Sequence, residues 1–186
     1  MVRNSKNGYS GKRVNKKRVV LYFIFIFLVL SLTALIQTCN FEILGATPAL
    51  IFVLVCAIGF IFGEKSGAIF GLIGGVLTDA LGFSGVMIWT ILFTVIGYLC
   101  GSAVGWFLSK NLPSFIVYVL IAEIIKAIYT LLVVGVISTS FDLFHIIGSI
   151  IIPEYLATAI FICPIYLVMA GIYRLFELKD KKEFRF

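Results

Sequence analysis

The chain has 186 residues, of which 61% are hydrophobic and 13% are charged, and its mean hydropathy is +1.13. These values lie far outside the range of soluble domains and indicate one integral membrane domain. The formal net charge is +6, but seven of the 15 Lys and Arg residues precede residue 19 and five follow residue 170. This placement favours cytoplasmic tails that bind anionic lipids, and it argues against a nucleic-acid-binding domain.

The length accommodates six spans of roughly 20 residues each, which predicts an all-α bundle of six transmembrane helices. The predicted spans are 19–38, 48–62, 67–83, 86–108, 114–137 and 153–173. The predicted domains are a basic tail (1–18), a transmembrane domain (19–173) and a charged tail (174–186). The first span is too long for a signal-peptide core and no small-x-small cleavage site follows it, so we expect it to remain as a helix.

Polar residues, glycines and prolines mark the expected connections. Pro48 suits the first turn of the second helix, and residues 63–66 predict a tight polar turn. Residues 109–113 end with a proline and are expected to break the chain before the fifth span. The sixth span is expected to be interrupted at Pro164, and the apolar piece 146–152 before it is predicted to be interfacial or re-entrant.

The distribution of positive charge predicts the topology. With both termini in the cytoplasm, fourteen of the 15 basic residues lie on the inner side: the tails, Lys65 and Lys110. The outer loops then hold none, and Lys126 lies within a span. This is a strong positive-inside pattern and supports six spans with an N-in and C-in orientation.

Two series of glycines recur at four-residue spacing, which places each series on one helix face. They are Gly67, Gly71 and Gly75 in the third span, and Gly97, Gly101 and Gly105 in the fourth. Small residues at this spacing allow two helix backbones to approach closely in a membrane. They are therefore candidates for packing inside the bundle or for docking a partner helix, and the spacing does not separate these two uses.

Four ionisable residues are expected within or at the edge of the membrane. In the predicted topology Asp79 lies near the outer end of its span, Glu123 near mid-membrane, Lys126 one turn further out, and Glu154 at the outer boundary. An unpaired lysine at this depth costs at least about 2.5–3.5 kcal/mol. We therefore expect Lys126 to pair with Glu123, three residues away, and in addition with Asp79 or Glu154. Such a group is either a substrate, proton or ion site or a structural ion pair.

No arrangement in the sequence predicts catalysis or a cofactor. The four cysteines lack C-x-x-C spacing and are interpreted as packing residues. His145, the only histidine, falls in a predicted outer loop and is expected to be solvated. No catalytic, cofactor-binding or metal-binding residue is predicted, and the chain is expected not to be an enzyme.

Three segments resemble the rod shape-determining membrane protein MreD family. They are Thr47-Pro48-Ala49-Leu50, the glycine-rich segment from Gly67 to Asp79 followed by Gly85, and Ile152-Pro153-Glu154-Tyr155 with Pro164-Ile165-Tyr166. Length, six spans and cytosolic ends agree with that family. The chain departs from it at Thr158, where the family often carries asparagine, and in its longer basic N-terminal tail.

The resemblance implies a non-enzymatic scaffold of the bacterial cell-elongation machinery in the inner membrane. The partners it implies are the bitopic protein MreC, the actin-like MreB filament, and the peptidoglycan glycosyltransferase and transpeptidase. Under this hypothesis the glycine faces of spans three and four hold partner helices. Members are similar in fold to the substrate-binding subunits of energy-coupling-factor vitamin transporters. The alternative hypothesis is therefore such a subunit, with a small molecule held near Asp79, Lys126 and Glu154.

Overall fold

The computed structural model describes residues 16–38, 46–81, 88–106, 111–137 and 147–175. Within these ranges the chain forms six α-helices and a five-residue π-helical segment, Ile147–Ile151. The α-helices are α1 (Lys16–Thr38), α2 (Leu50–Phe62), α3 (Glu64–Leu81), α4 (Ile88–Trp106), α5 (Leu112–Ile137) and α6 (Ile152–Leu175). The all-helical class and one helix for each predicted apolar segment agree with the sequence analysis.

Helix α2 occupies the centre of the bundle. It is apolar on every face, and all residues from Leu50 to Ile61 are buried. A helix of this kind must be surrounded by protein or lipid, and α2 contacts each of the other five α-helices. The core therefore forms around α2, with Phe52 and Phe60 among its largest fully buried side chains.

The outward faces of the surrounding helices are apolar and exposed. Leu35 of α1, Ile91 of α4, Leu132 of α5 and Leu167 of α6 are all more than 60% exposed. By length and composition alone, two described helices could each cross a membrane, through windows Leu112–Val133 and Ile152–Tyr173. Three further apolar stretches are shorter, at 10–17 residues: Ile24–Ile36, Leu50–Phe62 and Ile88–Val104.

The predicted turn at 63–66 is wrong in extent, because α3 already begins at Glu64. Gly63 alone reverses the chain: its φ is 97°, its N–H donates to the carbonyl of Gly59, and its own carbonyl accepts from Gly67. A left-handed φ is accessible to glycine without steric strain. Glu64 then lies in the first turn of α3, where a negative charge is favourable to the helix dipole.

Two prolines, Pro48 and Pro164, lie in different structural positions from those predicted. Pro48 precedes α2 instead of lying in its first turn, since the helix begins at Leu50. Helix α6 continues through Pro164 without the expected interruption. Pro113 lies in the first turn of α5, where its missing N–H leaves no helix hydrogen bond unmade.

Several predictions concern residues outside those the structure describes. They include most of both predicted tails, Cys39, the turn at 82–85, and the loop that contains His145. The segment 147–151 is described and forms the π-helical run that leads directly into α6. Its re-entry into a membrane stays a prediction, as does the division into three domains.

Candidate functional site

The glycine faces of α3 and α4 lie against each other. A methyl group added at Gly67 would overlap the carbonyl oxygen of Gly97, and one at Gly71 would overlap the carbonyl oxygen of Phe93. At Gly75 the same addition would overlap the Cα atom of Thr90. The two backbones therefore approach more closely along this interface than any residue with a side chain would allow.

The contact is reciprocal along α4. A methyl group added at Gly97 would overlap the carbonyl oxygen of Gly67, and one at Gly101 would overlap the backbone of Glu64. Gly105 also lies in α4, but its surroundings fall outside the described residues. The other five predicted glycines therefore lie at contacts within the bundle, and their use in docking a partner helix stays a prediction.

Gly59 of α2 extends this interface, which the sequence analysis did not predict. A methyl group there would lie 2.5 Å from the carbonyl oxygen of Gly97 and 3.1 Å from the Cβ atom of Cys100. The thiol of Cys100 also donates to the carbonyl of Cys56, at 3.0 Å. Helices α2, α3 and α4 thus meet closely at one position. The sequence signal for this contact was the four-residue glycine spacing, which continues back from Gly67 to Gly59.

Asp79, at the end of α3, is bonded to the first turn of α4. Its Oδ2 accepts hydrogen bonds from the N–H of Thr90 at 2.9 Å and from the Thr90 hydroxyl at 2.6 Å. Its Oδ1 accepts from the N–H of Trp89 at 3.1 Å. These N–H groups have no acceptor within their own helix, and the carboxylate also complements the helix dipole. Asp79 therefore caps α4 from the preceding helix.

Lys126, Glu123 and Glu154 form a polar cluster between α5 and α6. The Nζ of Lys126 lies 2.6 Å from Glu154 Oε1 and 3.8 Å from Glu123 Oε2. It also lies 5.3 Å from the centroid of the Phe52 ring in the central helix, within the range of a cation–π contact. Of the three carboxylates considered as partners for Lys126, two lie within ion-pair distance, and the third, Asp79, is used as the cap of α4.

Glu123 is the less satisfied of the two glutamates. Its side chain is 6% exposed, compared with 28% for Glu154, and its Oε1 atom has no hydrogen-bond partner among the described residues. A buried acceptor without a partner is destabilising by about 1–3 kcal/mol, and by more when it carries charge. Glu123, Lys126 and Glu154 are among the residues that line a small cavity beside the ion pair.

Thr158 is a site residue that the sequence analysis did not identify. Its side-chain oxygen accepts from the N–H of Ala49 at 3.0 Å, and its hydroxyl donates to the carbonyl of Glu154 at 2.7 Å. Thr158 is fully buried. It therefore satisfies a backbone N–H group just before α2 and connects the start of the central helix to the start of α6. The signal in the sequence was a polar residue within an apolar run, one turn after Glu154.

All these polar contacts lie at one end of the bundle. Helices α2, α4 and α6 begin there and α3 ends there, as the bonds of Ala49, Asp79 and Glu154 show. Further along α5, the Tyr129 hydroxyl donates to the carbonyl of Ile88 at 2.9 Å, and its ring contacts that of Trp89. In the predicted N-in topology this is the outer end.

A comparison with protein-family models assigns the chain to a family. The model described as rod shape-determining protein MreD matches residues 15–176, which is most of the sequence. The chain belongs to the MreD family. Neither the curated proteins nor the solved structures gave a match. The resemblance found in the three sequence segments is thus confirmed, and the chain has a role in determining rod shape.

MreD membership also places the chain among membrane proteins that determine cell shape and are not known as enzymes. The segments that carry the resemblance contain much of the polar end of the bundle: Pro48 and Ala49, Asp79, and Glu154. Thr158, four residues after Glu154, makes the bond to Ala49 described above. Among the described residues, no group of three or more His, Cys, Asp or Glu side chains is arranged to hold a metal ion.

Proposed function

We propose that this MreD-family chain is a non-enzymatic scaffold of the bacterial cell-elongation complex, which carries out lateral peptidoglycan synthesis. The family match over residues 15–176 is the observation that carries this proposal. The described polar side chains support it, because Asp79 and Thr158 bond to backbone groups and Lys126 pairs with carboxylates. These contacts hold helices together, which is what a scaffold requires.

The scaffold spans the inner membrane six times with both termini in the cytoplasm. Two observations support this: the surrounding helices expose apolar faces, and this topology would leave no basic residue in an outer loop, with fourteen of 15 on the inner side. Helix α2, with 13 residues, extends only about 20 Å, but it is enclosed by other helices and needs no lipid contact. The basic tails 1–18 and 174–186 bind anionic lipid headgroups.

The partners are a bitopic MreC-like protein, a cytoplasmic MreB-like filament, and the peptidoglycan glycosyltransferase and transpeptidase. The MreD family is associated with the MreB/MreC shape complex in general. Because the glycines of α3 and α4 are occupied, a partner's membrane helix must use an outer face. Helix α5 presents one along much of its length, with Val117, Ile121, Ile128 and Leu132 each more than half exposed.

Depletion and co-purification test this proposal in the native bacterium. We expect depleted cells to become round or swollen, and the tagged chain to retain the MreC-like protein. Ile121→Trp and Ile128→Trp on α5 should abolish that retention, whereas Ile91→Trp on the exposed face of α4 is the matched control. Normal rods after depletion would refute the scaffold role, and equal retention by all three variants would refute docking on α5.

The vitamin-transporter alternative receives less support from the geometry. The cavity beside Lys126 and Glu154 has a volume of about 10 Å³, whereas sites for small organic ligands enclose about 300–1,000 Å³. A vitamin of ordinary size therefore does not fit near these residues in this conformation. A vitamin found by mass spectrometry in the purified protein would favour the alternative over the scaffold.

A further inference from the structure

Pro164 removes one backbone hydrogen bond from the interior of α6. Proline has no N–H group, so the carbonyl of Ile160, four residues earlier, lacks the donor that any other residue at 164 would supply. The helix nevertheless continues through this position. Pro164 lies in the middle third of the 22-residue apolar window Ile152–Tyr173. In the proposed topology, this carbonyl therefore lies within the hydrocarbon region of the membrane.

The carbonyl of Ile160 lies on an outward face of α6. Six residues fall within about 100° of one another around the helix at 3.6 residues per turn and form what we call the proline face: Leu156, Ile160, Cys163, Pro164, Leu167 and Gly171. Leu156, Ile160 and Leu167 are each more than half exposed, and Cys163 and Pro164 are exposed as well. A helix carbonyl points along the axis towards the residue four positions on, here Pro164. No other described helix covers this part of α6.

Neither the lipid nor α6 itself supplies a good donor for this carbonyl. Acyl chains have no N–H or O–H group, and an unpaired backbone carbonyl in hydrocarbon has a high free-energy cost. The only polar side chain on the proline face is that of Cys163, and a thiol is a weak donor. Prolines in transmembrane helices are tolerated where neighbouring helices, among other groups, satisfy the freed backbone. The donor that this carbonyl lacks can thus come from a neighbouring helix.

We propose that the proline face binds a transmembrane helix of a partner protein, which carries a side-chain amide or hydroxyl that donates to the carbonyl of Ile160. Gly171 lies two turns after Pro164 on the same face, and a Cβ atom there would meet nothing within 4 Å. A small residue that is open to the membrane allows a second backbone to approach closely. A second copy of this chain, held to the same orientation in the membrane, would bring only the thiol of Cys163 to the site.

This inference rests on the proposed membrane span of α6 and is separate from the docking proposed for α5. Model transmembrane peptides test it in phosphatidylcholine vesicles that contain the full chain. Two leucine-rich peptides are compared, one with asparagine and the other with leucine at mid-span. Energy transfer between fluorescent labels on peptide and chain measures binding. We expect the asparagine peptide to bind about fivefold better, which corresponds to one interhelical hydrogen bond in a membrane.

Pro164→Ala tests whether the freed carbonyl causes this preference. The substitution restores an N–H group for the carbonyl of Ile160 and raises helix propensity, so α6 is retained while the two peptides should bind equally. Pro113→Ala is the matched control. Pro113 lies in the first turn of α5, where its missing N–H leaves no helix carbonyl without a donor, and the preference should be unchanged. Gly171→Leu should weaken the binding of both peptides.

The outcomes separate this inference from the proposed function. A chain that does not float with the vesicles would refute the span of α6 and this inference with it. A chain that floats but binds both peptides equally, or that keeps the asparagine preference in Pro164→Ala, would overturn this inference alone. Oxidative crosslinking of two copies through Cys163, not reduced by excess asparagine peptide, would assign the proline face to a second copy and also overturn it.

Discussion

Asp79 and Thr90 join the end of α3 to the beginning of α4 through two hydrogen bonds to one oxygen atom. Oδ2 of Asp79 accepts from both the backbone N–H and the hydroxyl of Thr90, at 2.9 and 2.6 Å. Asp79 is 8% exposed. A carboxylate in a membrane has a high free-energy cost, and the N–H groups at the end of α4 stabilise this one. The glycine interface between α3 and α4 begins one turn away, at Gly75.

Asp79→Ala should destabilise the α3–α4 pair. It removes the acceptor for the N–H groups of Trp89 and Thr90, and loss of a helix cap costs about 0.5–2 kcal/mol. We expect a lower midpoint of thermal unfolding in detergent. Thr90→Val, which removes only the hydroxyl, should have the smaller effect, and an equal or larger effect of Thr90→Val would contradict the capping role.

Gly71→Ala should also destabilise the bundle, because the added methyl group meets backbone atoms of Phe93 and Thr94 that have no rotamer freedom. Overpacking of this kind costs about 1–3 kcal/mol. Gly171→Ala in α6 is the matched control, since a Cβ atom there meets nothing within 4 Å, and its higher helix propensity should leave stability equal or raised. If both variants unfolded at the same temperature, close α3–α4 packing would be refuted.

Lys126→Met should leave Glu123 and Glu154 without their cation. Removing one partner of a buried pair costs about 3–5 kcal/mol, and we expect the lower end of this range because Glu154 is 28% exposed. Addition of Glu154→Gln to Lys126→Met should destabilise less than the sum of the two single changes. Unfolding midpoints in detergent for all four proteins measure this coupling, and strict additivity would mean that the pair contributes nothing.

Thr158→Val should weaken the connection between α6 and the start of α2. The substitution keeps the shape of the side chain but leaves the buried N–H of Ala49 without its acceptor, a loss of about 1–3 kcal/mol. Thr158→Ser retains the hydroxyl and should preserve most of the stability. The two variants can be compared by thermal unfolding and by hydrogen exchange at Ala49, where faster exchange is expected in Thr158→Val alone.

The sequence predicted the helices better than it predicted the contacts between them. All six helices were predicted to within a few residues, because runs of apolar residues bounded by Gly, Pro or charged residues are strong local signals. The restriction of the predicted turn to Gly63 and the continuity of α6 through Pro164 were not predicted, since one or two residues decide them. Among the polar residues, the proximity of Lys126 and Glu123 followed from their spacing of three on one helix.

The sequence by itself determined the membrane character, the helical class and the family. These follow from composition, hydropathy and short motifs, which depend only on the order of residues along the chain. The tertiary structure decided which faces meet. The glycines of α3 and α4 are directed at each other, and Asp79 bonds to Thr90 and not to Lys126. Within the described part of the chain, Glu123 Oε1 has no hydrogen-bond partner. These outcomes depend on the rotation of each helix about its own axis, and that rotation is set by packing between residues far apart in the chain.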